Sequence, residues 1–82
     1  MGEPWILAID LGNGGPKVAA VSLGADLLAT ALRGVSVQIG DDGSATQDAR
    51  EWELRLQEAV ADLLATPGID GGSLHAIAIT GQ

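Results

Sequence analysis

Ala8-Ile9-Asp10-Leu11-Gly12-Asn13-Gly14-Gly15-Pro16-Lys17-Val18-Ala19-Ala20-Val21 is the stretch on which the fold of this chain turns. Trp5 to Ile9 is a compact apolar run with Asp10 at its end, the pattern of a buried strand. Leu11 to Pro16 is a loop in which three of six residues are glycine. Lys17 to Leu23 is apolar again and reads as a second strand. The turn between the two is short, so an antiparallel hairpin is the simplest arrangement. Gly24-Ala25-Asp26 makes another turn, and Leu27 to Arg33 alternates as a third strand. The opening therefore reads as a three-stranded meander.

Beyond it, Val35, Val37 and Ile39 alternate like an extended stretch at a sheet edge, and Gly40-Asp41-Asp42-Gly43-Ser44 is a polar loop. Asp48 then has the character of a helix N-cap, with Glu51 at capping-box spacing, and both acids suit the positive end of the helix dipole. Trp52, Leu56, Ala59, Val60, Leu63 and Leu64 recur every three to four residues as one apolar face. Thr66-Pro67-Gly68 stops the helix, because proline cannot continue it and glycine accepts a left-handed turn. Leu74 to Thr80 is a further strand. Since it follows a helix, it is expected to lie parallel to an earlier strand through a crossover. The order is β-β-β-α-β, ending on Gly81-Gln82 where a strand should deliver a ligand-facing loop. The expectation is a piece of a longer protein.

Composition narrows the class. The chain has 82 residues, and a domain of that size buries only about 60% of its unfolded surface. There is no cysteine for a disulfide, and one histidine cannot build a zinc site. Four Lys+Arg against eleven Asp+Glu give a formal charge of −7, which argues against nucleic acid or an anionic membrane as partner. Apolar residues make up 46% of the chain, too many for a disordered segment. Their runs are broken by glycines well short of the ~20 residues that span a bilayer. Met1-Gly2-Glu3-Pro4 has neither a basic flank nor a signal-peptide pattern. The expectation is a cytoplasmic acidic domain; oligomeric state is left open.

A glycine-rich loop after a strand suggests phosphate binding, but two common versions are absent. The dinucleotide fingerprint needs a third glycine where Lys17 stands, and a helix where a strand follows. The P-loop needs Gly before its lysine and Ser or Thr after it, and Lys17 is flanked by Pro16 and Val18. Two readings remain. One is a hairpin whose glycine turn brings backbone N–H groups to phosphates, with a carboxylate at the strand end for Mg²⁺. The other is an ordinary turn with a solvated Asp10 and Lys17, since Gly and Asn are common turn formers.

Three stretches together resemble a known family. Ala8 to Gly12 through Lys17 to Val21 is similar to the first phosphate motif of the actin, hexokinase and heat-shock chaperone ATPase superfamily. Thr46-Gln47-Asp48-Ala49-Arg50-Glu51-Trp52 resembles the E-Q-D-P-x-x-W-W segment that opens the first helix of FGGY carbohydrate kinases. Ala78-Ile79-Thr80-Gly81-Gln82 resembles their following strand and its G-Q ending. The resemblance covers nearly the whole chain and is closest to the xylulokinase-like branch. It implies an α/β fold, the start of a ribonuclease H-like N-terminal domain spanning 1–82. It also implies ATP-dependent phosphorylation of a sugar hydroxyl, with a pentulose such as xylulose favoured. By that resemblance Asp10 would help hold Mg²⁺ through water. Gly12, Asn13 and Gly14 would approach the ATP phosphates, Lys17 would sit beside them, and Gln82 would border the sugar. The general-base Asp and the adenosine motif would lie further along a longer chain. The loop departs from the family: Asn13 and Gly14 replace two hydroxyl-bearing positions, and Pro16 removes an N–H. A nucleotide-binding or regulatory relative that phosphorylates no sugar, and an inactive truncated piece, are the alternatives.

Several residues have plainer readings. Helix capping accounts for Asp48, and Gln47 is ambiguous between structure and sugar contact. Trp52 reads as a core residue. His75 has no Ser, Cys or Asp at catalytic spacing and reads as structural, and Asp41-Asp42 as solvated loop.

Overall fold

The β-branched and aliphatic runs on either side of the glycine turn do form a hairpin, and it is tighter than the sequence suggests. In the computed structural model, which describes residues 3–12, 14–35 and 38–81, β1 (Trp5–Gly12) runs past Asp10 and β2 (Gly15–Ser22) begins at Gly15. Gly12 pairs with Gly15, so only positions 13 and 14 connect the strands. β3 (Leu27–Leu32) pairs antiparallel with β2, with a register shift after Ala20. The expected meander is present.

The stretch expected at a sheet edge lies elsewhere. β4 (Gln38–Ile39) pairs with β5 (Ala45–Thr46) as a separate two-stranded ribbon, and Val37 lies outside the described residues. The turn explains the difference. Gly40 N–H donates to the Ser44 carbonyl at 2.8 Å, Gly43 N–H donates back to the Gly40 carbonyl at 2.9 Å, and Ser44 N–H donates to Asp42 Oδ1 at 3.0 Å. An aspartate that accepts from the backbone two residues on closes the turn locally, with no help from the main sheet. That Ser44 N–H also holds the exposed Asp42 carboxyl below its ordinary pKa.

α1 (Ala49–Leu64) starts where the capping residue predicts: Asp48 is extended and its Oδ1 accepts from Arg50 N–H at 2.9 Å. Ala65 N–H closes the other end on Ala61, and Gly68 adopts φ +91° in the turn that follows. Asp48→Ala should cost about 1 kcal/mol of stability, read as a lower urea midpoint with unchanged slope. After a 3₁₀ turn at Gly71–Ser73 capped by Asp70, β6 (Leu74–Gly81) runs parallel to β1. The main sheet has the order β3-β2-β1-β6, a mixed sheet with its parallel pair at one side.

Alternation along the strands then decides the core. Trp5, Leu7 and Ile9 of β1 and Val18 and Ala20 of β2 meet Ala59 and Leu63 of α1, with Leu56 and Val60 packed beside them. Trp5 also donates its Nε1–H to the Asp70 carbonyl at 2.7 Å, tying the start of β1 to the loop after the helix. Trp52, expected in the core, is only half buried and lies outside this cluster; its Nε1–H donates to Gln47 Oε1 at 3.1 Å. It sits in the first turn of α1, and the helix meets the sheet mainly through its last two turns.

α1 packs against β2 and β3 and leaves the far strand open. Every residue of β6 is exposed, including Ile77 at 57% and Ile79 at 64% on the helix side of the sheet. The radius of gyration, 14.6 Å, exceeds the about 12 Å of a compact chain of this length. Among the described residues no helix is long and apolar enough to cross a membrane.

Candidate functional site at the hairpin

Residues that alternate away from the core gather on the other face of the same strands. On β1 these are Ile6, Ala8 and Asp10; on β2, Lys17 and Ala19. The antiparallel register sets Asp10 opposite Lys17 and Ala8 opposite Ala19. The parallel register sets Thr80 beside Asp10 and Ala78 beside Ala8. Three alanines across three neighbouring strands leave room above the sheet. The result is a cleft of about 210 Å³ lined by Ala8, Ala19 and Ala78, by Asp10, Lys17 and Thr80, and by Ile9 and Val18.

The cleft thus carries one carboxylate, one ammonium and one hydroxyl, all exposed, at the end of the sheet where the glycine turn lies. Thr80 Oγ1 stands 3.5 Å from the Ile9 carbonyl, too long for a strong bond, so its hydroxyl can turn to another acceptor. Space beside the backbone of Gly12 and Gly14 is open: a Cβ at either would meet nothing within 4 Å. Among the described residues, nothing beyond the glycines' own chain neighbours blocks a ligand from the main chain at these two positions.

Gly15 is different. It has φ +130°, and a Cβ there would collide with the Arg33 carbonyl oxygen. The segment after β3 holds the turn from that side: Arg33 N–H donates to the Pro16 carbonyl at 3.2 Å, and Val35 N–H to the Gly14 carbonyl at 3.1 Å. Pro16, which lacks a donor of its own, is buried and serves as acceptor.

Asp10, Gly12, Gly14 and Lys17 are thus brought together around the turn, while Asn13 and Gln82 lie outside the described residues. His75 falls at the register irregularity near the start of β6, the opposite end of the strand from Thr80. Asp41 and Asp42 belong to the small ribbon's turn. The sequence reading missed Thr80, whose signal was its parity with Ala78 along one strand. It also missed Gly15, which has no signal short of knowing what crosses behind it.

Among the described residues no three His, Cys, Asp or Glu side chains cluster as a metal-binding set. Magnesium does not need one: it keeps several waters and is commonly held by one or two carboxylates together with substrate phosphates. A lone exposed Asp10 beside an open turn and a lysine fits that mode of binding.

No family model matches the chain, and no curated protein matches it. Among solved structures it is similar to a crystal structure described as a xyloylose kinase from Brucella ovis, with a TM-score of 0.87 and 23% identity. The match covers 95% of this chain and 16% of that one, so the chain spans about a sixth of the kinase's length. The likeness shows the fold: a small α/β unit with a mixed sheet and one helix, arranged as a segment of a sugar kinase is arranged.

Proposed function

We propose that residues 1–82 form part of the N-terminal, ribonuclease H-like domain of a longer FGGY-type carbohydrate kinase, and that this part handles the phosphates of ATP. The observation that carries the reading is the meeting of Asp10 and Lys17 across the hairpin, beside an open glycine turn, in a fold similar to a sugar kinase. The substrate would be a sugar hydroxyl, with a pentulose such as xylulose favoured.

Phosphoryl transfer asks little covalent chemistry of the protein; catalysis is mostly positioning and electrostatic stabilisation. Backbone at Gly12 and Gly14 can approach the phosphates because neither residue carries a Cβ and, apart from their chain neighbours, nothing described lies within 4 Å of where one would stand. Lys17 places a positive charge on the same rim, where it offsets the charge of the phosphate oxygens. The Asp10 carboxylate would hold Mg²⁺ through its water shell. When bound, Mg²⁺ supplies neutralisation of the phosphate charge. The base that accepts the sugar proton and the adenosine pocket belong, in this proposal, to residues beyond 82.

The test is ATP-dependent phosphorylation of D-xylulose by the complete polypeptide that carries this segment, with the 82-residue chain assayed beside it. The complete polypeptide is expected to turn over and the short chain to show no activity. Lys17→Met in the complete polypeptide should raise the Kd for MgATP about tenfold, the scale of one charge-assisted contact. Failure of the complete polypeptide to bind MgATP would overturn the assignment. A second reading, a nucleotide-binding relative that phosphorylates no sugar, is favoured by one observation. Positions 14–16 of the turn are Gly-Gly-Pro and offer no hydroxyl. MgATP binding without sugar-dependent ADP release would select it.

A further inference from the structure

The glycine turn is gripped by a segment that is itself tied to the helix. Arg33 and Val35 donate their backbone N–H groups to Pro16 and Gly14, on either side of Gly15. The Arg33 carbonyl stands where a side chain of Gly15 would be. Arg33 then reaches across to α1: its Nε donates to Asp62 Oδ2 at 2.9 Å, and its Nη2 meets the same oxygen at 2.6 Å. Asp62 lies in the last turn of α1, next to Leu63, one of the fully buried residues of the core. A continuous path therefore runs from the packed end of the helix, through one ion pair and two backbone hydrogen bonds, to the turn.

We propose that Arg33 and Asp62 are positioning residues for the glycine turn, holding it in the conformation that receives phosphate. This rests on the nucleotide reading of the hairpin. Neither side chain lines the cleft, and that of Arg33 is turned to Asp62 on α1, which packs on the opposite face of the sheet; the role assigned to them is exerted through the backbone of residues 33–35. The pair is partly exposed, with side chains at 40% and 47%. Its influence is accordingly modest, and each single loss should weaken phosphate binding about three- to fivefold.

The experiment is titration of the complete polypeptide with MgATP, and separately with D-xylulose, for Arg33→Met, Asp62→Asn, the double variant and the charge-swapped pair Arg33→Asp/Asp62→Arg. Lys17→Met is measured alongside, and thermal unfolding is recorded for each. The expected result is a three- to fivefold higher Kd for MgATP in each single variant and no further loss in the double variant. Sugar affinity should be unchanged, and the swapped pair should recover most of the loss. A merely structural pair would lower the melting temperature and leave Kd for MgATP where it was; that result overturns the proposal, as do additive losses in the double variant. Asp62→Asn, nearly isosteric on an exposed helix position, keeps the test decisive should Arg33→Met fold poorly. If Lys17→Met also leaves the Kd for MgATP unchanged, the nucleotide reading itself falls. If Lys17→Met weakens binding and the Arg33 and Asp62 variants do not, the positioning role alone falls.

Discussion

Asp10→Asn in the complete polypeptide is expected to cut turnover on the order of 10²- to 10³-fold, the effect of removing one preorganised electrostatic contact at a reacting centre. The substitution keeps the shape while deleting the charge and exchanging one acceptor oxygen for a donor NH2. On the nucleotide reading proposed for the hairpin, its position explains why the loss should leave the sugar side untouched. Asp10 faces Lys17 and Thr80 across the register, and Ile9 and Leu7 on the opposite face keep the strand anchored in the core. Stability should therefore change little, and affinity for sugar should be kept. Separate determination of kcat and of KM for MgATP and for D-xylulose checks this. Unchanged turnover at saturating MgATP removes Asp10 from the site; a rise in the sugar KM alone assigns the hairpin to the wrong ligand.

Gly15→Ala is expected to cost more than about 3 kcal/mol, a large share of what a small domain has. Two effects act together. The backbone at φ +130° is one that side chains rarely adopt, and the added carbon would run into the Arg33 carbonyl. That oxygen belongs to main chain hydrogen-bonded to Pro16, so it cannot move aside without opening the contact. Gly14→Ser is the matched control. A Cβ at Gly14 meets nothing within 4 Å, so a far smaller change, within about 0.5 kcal/mol, is expected. Urea unfolding of both variants distinguishes the two positions. A side chain is thus expected to be tolerated at 14 and not at 15.

The strands, the helix and its cap were legible because each has a strong local cause. Apolar runs broken by glycine gave β1 to β3, and a carboxylate before a periodic face gave the start of α1. That β6 lies parallel to an earlier strand followed from connectivity alone; that this strand is β1 did not. What stayed hidden depended on contacts between distant residues. Trp52 has the right spacing for the core, yet the helix axis brings its C-terminal half down on the sheet and leaves the first turn half open. The ribbon at 38–46 hinges on a side-chain bond from Asp42, which hydropathy does not register. In the site, Asp10 and Lys17 were visible as the ends of a hairpin. Thr80 reaches them only through the register of a strand seventy residues away. The Arg33 contact behind Gly15 is main chain against main chain, which leaves no trace in residue type.

The two partners of β1 differ in how far along the chain they must be found. Ile9 meets Val18 nine residues on and Ile79 seventy residues on. Closing the longer loop costs about 2 kcal/mol more in chain entropy, and that cost falls before any contact is gained. The meander should therefore assemble first and present Asp10 and Lys17 already in register, with β1 open along one side. β6 adds last. During refolding, pulse-labelled amides of β1 and β2 should gain protection ahead of those of β6, and the cleft should be built one wall at a time, its threonine side completing an already formed carboxylate–lysine side.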